Sequence, residues 1–268
     1  SYSNFVGTHF WNIQESSFNY DGTEGEINHD ILFREGLTPN GDVTFTPRLV
    51  FVDLKQNLGS LSSQGKLYSE TNNVFEIPTW DKHCEVIASE RNVRNEFIED
   101  LYLEDESYRN NSDCCKAKDK EYKLDGQIDY WSDFKRLHYH PRSALTIDAR
   151  DPLGGVDPKV SFNVEETVRF YAEECDTLQG FQFLCDASSC DLLSPTLEHL
   201  TQDYHGKSLH VYPVQPIHQR QSLSEIRTHD LSVLFSLSES IKNSSIVSPM
   251  SLNCDLFNKN NQKRDFPA

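Results

Sequence analysis

The residues best placed to do chemistry sit in a short turn, DASSC (186–190), that follows the apolar run FQFLC (181–185). A short apolar run bounded by a turn reads as a buried strand. A helix running into such a strand, with a polar turn after it, is one half of an α/β nucleotide-binding layer. The turn after the strand is where these folds place a phosphate. Holding one takes several backbone N–H groups converging at a helix start, which normally requires glycine. Residues 186–190 contain none. The hydroxyls of Ser188 and Ser189 can meet an anion at the start of the next helix, while Asp186 and Asp191 repel it. The expectation is a phosphate-type position with a compromised anion cradle.

Other chemistries find less support. The chain has neither G-x-x-x-x-G-K-[ST] nor G-x-G-x-x-G, and Gly154-Gly155 lies in a proline-flanked turn before a helix, not after a strand. His138 and His140 stand two apart between Arg136 and Arg142, without a third ligand at metal spacing. A packed, hydrogen-bonded role is expected for both. The seven cysteines include no C-x-x-C pair, and Cys114-Cys115 are adjacent, so no metal site is expected. An odd count without a framework fits a reducing compartment. No G-x-S-x-G elbow is present, Cys175 reads as buried and not reactive, and no catalytic residue is expected.

The elements that must position the turn are readable around it. Val164, Val168, Tyr171, Cys175 and Leu178 alternate at spacings of four and three, the apolar stripe of an amphipathic helix. Asn163 is its expected cap, with Glu165 paired to Arg169. Gly180 ends the period, and FQFLC reads as a strand covered on both faces. After the turn, Leu193, Leu197 and Leu200 mark a helix over 192–204. SLHVYPV (208–214) is a strand closed by Pro213 and Pro216, and residues 222–241 form a helix facing inward through Ile226, Leu234, Leu237 and Ile241. Residues 244–252 begin another strand, and the polar tail 253–268 is expected to lack order.

Before this unit, residues 1–15 read as a helix with Val6, Phe10 and Ile13 on one stripe. Residues 21–41 read as loop and turns, and TFTPRLVFVDL (44–54) as one strand. Residues 58–130 form an irregular insertion, its acidic run 99–106 a solvated helix face and 110–121 an exposed stretch. Trp131, Phe134 and Tyr139 are expected in the core. Alternating helices and strands imply an α/β fold, a mostly parallel sheet with helices on both faces.

With 268 residues, 37% hydrophobic and 25% charged, the chain has length for a sizeable core. Its net charge of −17 disfavours nucleic acid and anionic membrane as partners. No apolar run approaches the roughly 18 residues of a membrane span.

Five segments carry a resemblance. EECDTLQGFQFLCD (173–186) resembles the tubulin segment whose LQGFQ strand leads into a glycine-rich phosphate loop. SNFVGTHFWNIQE (3–15) is similar to the first tubulin helix, and TPRLVFVDLKQ (46–56) to a tubulin strand ending in acids beside the phosphates and metal. YWSDFKRLHYHPRSALTID (130–148) resembles the WSDF-x-R-x-H-x-HPRS segment that separates the Misato family from true tubulins. The following strand and helix complete a match over residues 1–252. The chain is identified as a member of the Misato family. That implies the N-terminal half of a tubulin-like domain, without its first strand and without the C-terminal half.

The resemblance also implies a degenerate nucleotide pocket from Asn4, Gly7, Asp53, Ser188 and Ser189, with Lys55 and Gln56 where tubulins place glutamate and proline. It implies a non-catalytic protein of mitochondrial distribution, fusion and morphology. Such a protein is expected in the cytoplasm and at the mitochondrial outer membrane, acting through protein partners there or on the cytoskeleton. No cofactor is expected; the alternative is a GTP-binding, slowly hydrolysing tubulin-like protein.

Overall fold

A computed structural model describes residues 2–18, 28–37, 43–59, 94–110, 120–124, 126–147, 158–188, 190–215 and 223–251. The chain divides into two units, one of Ser1–Gly7 with Arg150–Ala268 and one of Thr8–Ala149. Helix α1 (Tyr2–Ser16) contributes its first residues to the former and the remainder to the latter.

In the unit of residues 8–149, α1 turns Thr8, Trp11 and Glu15 inward. This corrects the expected stripe, since Phe10 is 38% and Ile13 54% exposed. Polar groups occupy the inner face because each has a partner: Thr8 bonds Tyr139 and Glu15 faces Arg136. Trp11 anchors the helix edge-on against Phe33, their rings 5.3 Å apart.

Phe33 opens β1 (Phe33–Leu37), which pairs antiparallel with β2 (Val43–Pro47). The glycine-rich stretch read as loop thus holds one strand of a hairpin. The run expected as a single strand over 44–54 is two. Pro47, which has no N–H to donate, ends β2, and a tight turn follows in which the Leu49 amide bonds the Pro47 carbonyl at 2.9 Å. β3 (Phe51–Leu54) then pairs in parallel with β4 (Ala144–Ile147), Phe51 beside Ala144 and Asp53 beside Thr146.

Within the expected irregular insertion, α2 (Glu96–Asn110) is regular. Asn95 caps it, its Oδ1 accepting from the Ile98 amide at 2.9 Å. Phe97 and Ile98 are buried and Glu99 is exposed, as an amphipathic helix with an acidic outer face requires. Residues 111–119 of the stretch expected to be exposed lie outside the described residues.

In the unit of residues 1–7 and 150–268, α3 (Pro158–Glu173) begins with a proline, favoured in the first helical turn. It starts before Asn163, which therefore lies inside the helix, its carbonyl accepting from Thr167 Oγ1. Arg169 pairs with Glu166, while Glu165 lies 3.7 Å from His199 Nδ1. Cys175 and Leu178 fall beyond the helix end, and the Cys175 thiol, half-buried, reaches the Tyr171 carbonyl.

Four strands follow, all parallel: β5 (Gly180–Asp186), β6 (Ser208–Gln215), β7 (Ile246–Val247) and β8 (Met250–Ser251). They are joined through α4 (Cys190–Asp203) and α5 (Leu223–Asn243). β6 is central, with β5 on one side and β7 and β8 along the other. Pro213 lies inside β6 and does not close it. It falls between the stretches of β6 that pair β7 and β8, where a missing donor costs no ladder bond on that side.

Strand alternation sends Phe181, Phe183 and Cys185, with Leu209 and Val211, toward the leucines of α4 and Val168 of α3. Leu193, Leu197 and Leu200 are 4% exposed or less, each contributing about 1.5–3 kcal/mol by burial. On the opposite face Leu184 packs beside Gly7 of α1. The first residues of α1 thus meet the face opposite α3 and α4 at this point. β5 is less enclosed than its composition implies, with Gln182 exposed and Phe181, Phe183 and Leu184 half-buried. Its start is the tightest point of the sheet, since a Cβ on Gly180 would stand 2.3 Å from the Ser208 carbonyl oxygen.

Candidate functional site

The end of β5 carries the turn singled out from sequence. Asp186 is the last strand residue, and its Oδ1 accepts the backbone N–H of Ser3 at 2.7 Å. Ser3 lies in the first turn of α1, where amides have no partner within the helix and carry the positive end of its dipole. A carboxylate from the protein itself thus sits where an external anion would be drawn. The next amide, of Ala187, donates to the Val214 carbonyl of β6 at 2.8 Å. The described glycines with positive φ are Gly59, Gly126 and Gly206, away from this turn.

Of the expected pocket residues, Asn4, Gly7 and Ser188 belong to this unit, Ser188 half-buried in the turn before α4. Ser189 lies outside the described residues. Gly7 is interior to α1, and a Cβ there would meet Leu184 at 3.5 Å, an ordinary contact. Two backbone donors beside this turn, those of Ser3 and Ala187, are bonded within the protein.

Asp53 belongs to the other unit. It is 6% exposed, and both its oxygens have donors. Oδ1 accepts from the Leu54 amide at 2.8 Å and from Asn57 Nδ2 at 3.0 Å; Oδ2 accepts from the indole of Trp131 at 3.0 Å. Lys55, which follows in a single 3₁₀ turn (Lys55–Leu58), is exposed.

Trp131 begins a segment of two short 3₁₀ turns joined by extended chain and held by hydrogen bonds at several points. Asp133 Oδ2 accepts from the Tyr130 amide at 2.8 Å, closing a capping box around the 3₁₀ turn Trp131–Phe134. Asn12 of α1 holds the backbone on both sides of Lys135: its Nδ2 donates to the Phe134 carbonyl (2.8 Å) and its Oδ1 accepts the Arg136 amide (3.2 Å). Arg136 Nε stands 3.2 Å from Glu15 Oε2. Tyr139 is buried against Phe51, its phenol bonded to Thr8, and burial raises its pKa. His140 Nδ1 accepts the Arg142 amide at 3.2 Å, capping the 3₁₀ turn Pro141–Ser143 that leads into β4. The segment is a strap across α1 and β3, fastened at Asn12, Glu15, Thr8 and Asp53. Among the described residues no group of three His, Cys, Asp or Glu side chains is placed to hold a metal ion. No described helix is long and apolar enough to cross a membrane.

The family model of the Misato segment II tubulin-like domain matches residues 1–103. Protein misato homolog 1 of Danio rerio is 32% identical over 94% of this chain and 50% of its own length. The Mus musculus homologue is 30% identical over 100% of the chain and 52% of its own length. The chain belongs to the Misato family. Protein misato of Drosophila melanogaster is 34% identical over 76% of the chain and 41% of its own length. The chain spans about half the length of the curated Misato relatives it matches.

Within this Misato chain, sequence reasoning placed Trp131, Phe134 and Tyr139 in the core and gave His140 a hydrogen-bonded role; Trp131 and Tyr139 are buried and His140 is bonded, while Phe134 is only half-buried. It missed Asn12, Thr8 and Glu15 as fasteners. Their signal was polar residues at helical spacing on one face of α1, which reads as a solvated face until partners are known.

Proposed function

We propose that this chain is part of a non-catalytic Misato-family protein that acts in mitochondrial organisation through protein contacts, at the mitochondrial outer surface from the cytoplasm. The reading rests on the family's implied role together with one observation. The carboxylate of Asp186, bonded to the Ser3 amide, fills the anion-attracting end of α1 from within. The second acid expected beside a phosphate, Asp53, is bonded to Trp131, Asn57 and the Leu54 amide. What remains of a nucleotide-type fold is a scaffold that presents surface.

Titrating a fluorescent GTP analogue onto the intact chain, with and without magnesium, tests this. The expected result is no saturable binding and no phosphate release at near-millimolar nucleotide. Micromolar binding that is lost in Asp53→Ala would establish the GTP-binding alternative instead. In cells, depletion of the whole protein is expected to collapse or redistribute the mitochondrial network, and a network of unchanged distribution and fusion overturns the mitochondrial part.

A further inference from the structure

Helix α5 is built with its polar face inward. Ser236 and Ser240 are fully buried, and His229, 17% exposed, lies on the same side. Hydroxyls at four-residue spacing turn back to carbonyls of their own helix: Ser232 to Thr228, Ser240 to Ser236, Ser244 to Ser240. Such back-bonding lets a serine face pack like a small apolar one. α4 lies against it, with Ser194 Oγ 3.3 Å from Glu239 and Thr201 Oγ1 bonded to the Asn243 carbonyl.

The opposite face is apolar and open. Leu231, Leu234, Phe235 and Ile241 are 56%, 63%, 65% and 68% exposed. Positions 231, 234, 235 and 241 lie on one side of a helix. This corrects the expected inner face, since Leu234 and Ile241 point outward. Exposed Arg227 and Ser238 lie on the same side, and an exposed apolar stripe of this kind marks an interaction site.

The charges beside the stripe indicate the occupant. Asp230 and Lys242 flank its two ends, 58% and 65% exposed. Lys242 stands 3.9 Å from Glu198 and from Glu239, exposed contacts worth little and easily exchanged. The chain carries −17 overall, which disfavours docking on an anionic lipid surface. A two-fold interface must be self-complementary. Two copies of α5 laid antiparallel and centred at Ser236 set Asp230 beside the second copy's Lys242, and Leu231 beside its Ile241, each twice. A parallel pairing would stack like charges at both ends.

We propose that this face of α5 is an interface between two copies of the chain, packed antiparallel. The test is sedimentation equilibrium on the intact chain from low to high micromolar concentration, with thermal melts to check folding. A reversible monomer–dimer equilibrium is expected, and Leu234→Asp weakens it about 30-fold or more, as loss of a central apolar anchor does. Because Leu234 is exposed in the single chain, the melting temperature of the variant matches that of the parent at concentrations where the parent is monomeric. Asp230→Lys and Lys242→Asp each weaken the dimer, and the double variant restores it. A chain that stays monomeric throughout overturns the proposal, as does a dimer indifferent to Leu234→Asp. So does a monomer that binds neutral phosphatidylcholine vesicles through this stripe. A charge swap that fails to restore association overturns the antiparallel arrangement.

Discussion

The indole N–H of Trp131 donates to Asp53 Oδ2 at 3.0 Å, across 78 residues of sequence. With the Leu54 amide and Asn57 on the other oxygen, this carboxylate has three donors and fastens the strap to the end of β3. Hydrogen bonds to a buried charge are the strong ones.

Breaking that bond has a calculable signature. Asp53→Ala leaves a buried indole and amide without acceptors and is expected to cost about 3 kcal/mol; Trp131→Phe costs about 1.5 kcal/mol. A double-mutant cycle from urea unfolding is expected to give a coupling of about 1–2 kcal/mol. Additive losses would mean that the two residues stabilise the fold independently.

Two glycines at β5, one opening the strand and one packed on it from α1, behave oppositely. Gly180→Ala drives a methyl to 2.3 Å from the Ser208 carbonyl oxygen, backbone that cannot step aside without parting β5 from β6. The expected loss is about 3 kcal/mol or more. Gly7→Ala makes only a 3.5 Å contact with Leu184 and gains helix propensity, so stability holds or rises by about 1 kcal/mol. Chemical denaturation of both variants decides this; a large loss from Gly7→Ala would show that α1 approaches its neighbours more closely than described.

The buried thiol of Cys185 supplies a pH dependence. Burial, and secondarily the neighbouring Asp186, push its pKa from the ordinary 9.0 up to about 12. The folded state keeps the thiol protonated where the unfolded chain would ionise it. Its contribution is therefore fully present below pH 9 and is lost as the pH climbs toward 12. Thermal melts across that window are expected to fall more steeply for the parent chain than for Cys185→Ala. Peptide-mapped alkylation of the folded protein at pH 8 is expected to label Cys185 at least about tenfold more slowly than half-buried Cys175.

Legibility in the sequence followed how locally each feature is determined. The leucines of α4 needed only helical spacing, and all three are in the core. The LQGFQ strand and the polar turn after it were equally local. α5 misled because small serines, Ser236 and Ser240, occupy its buried face, Ser240 bonding back to its own helix, while the leucines face outward. β1 was hidden because Phe33 alone anchors it in a stretch of turn-forming residues. The split between β2 and β3 is signalled by Pro47 alone, inside a run that otherwise reads as one strand. Asp53 stood out in the sequence, but its indole donor arrives from a distant segment whose course no spacing rule gives. The Asp186–Ser3 bond, 183 residues long in sequence, was out of reach for the same reason.

The amide of Ser3 reports directly on whether the helix end of α1 is filled by Asp186. Its ¹H–¹⁵N resonance in the intact chain is expected to move on Asp186→Asn and to stay in place when GTP and magnesium are added to near-millimolar concentration. A saturable shift of that resonance with nucleotide, showing phosphate displacing the carboxylate, would contradict the account.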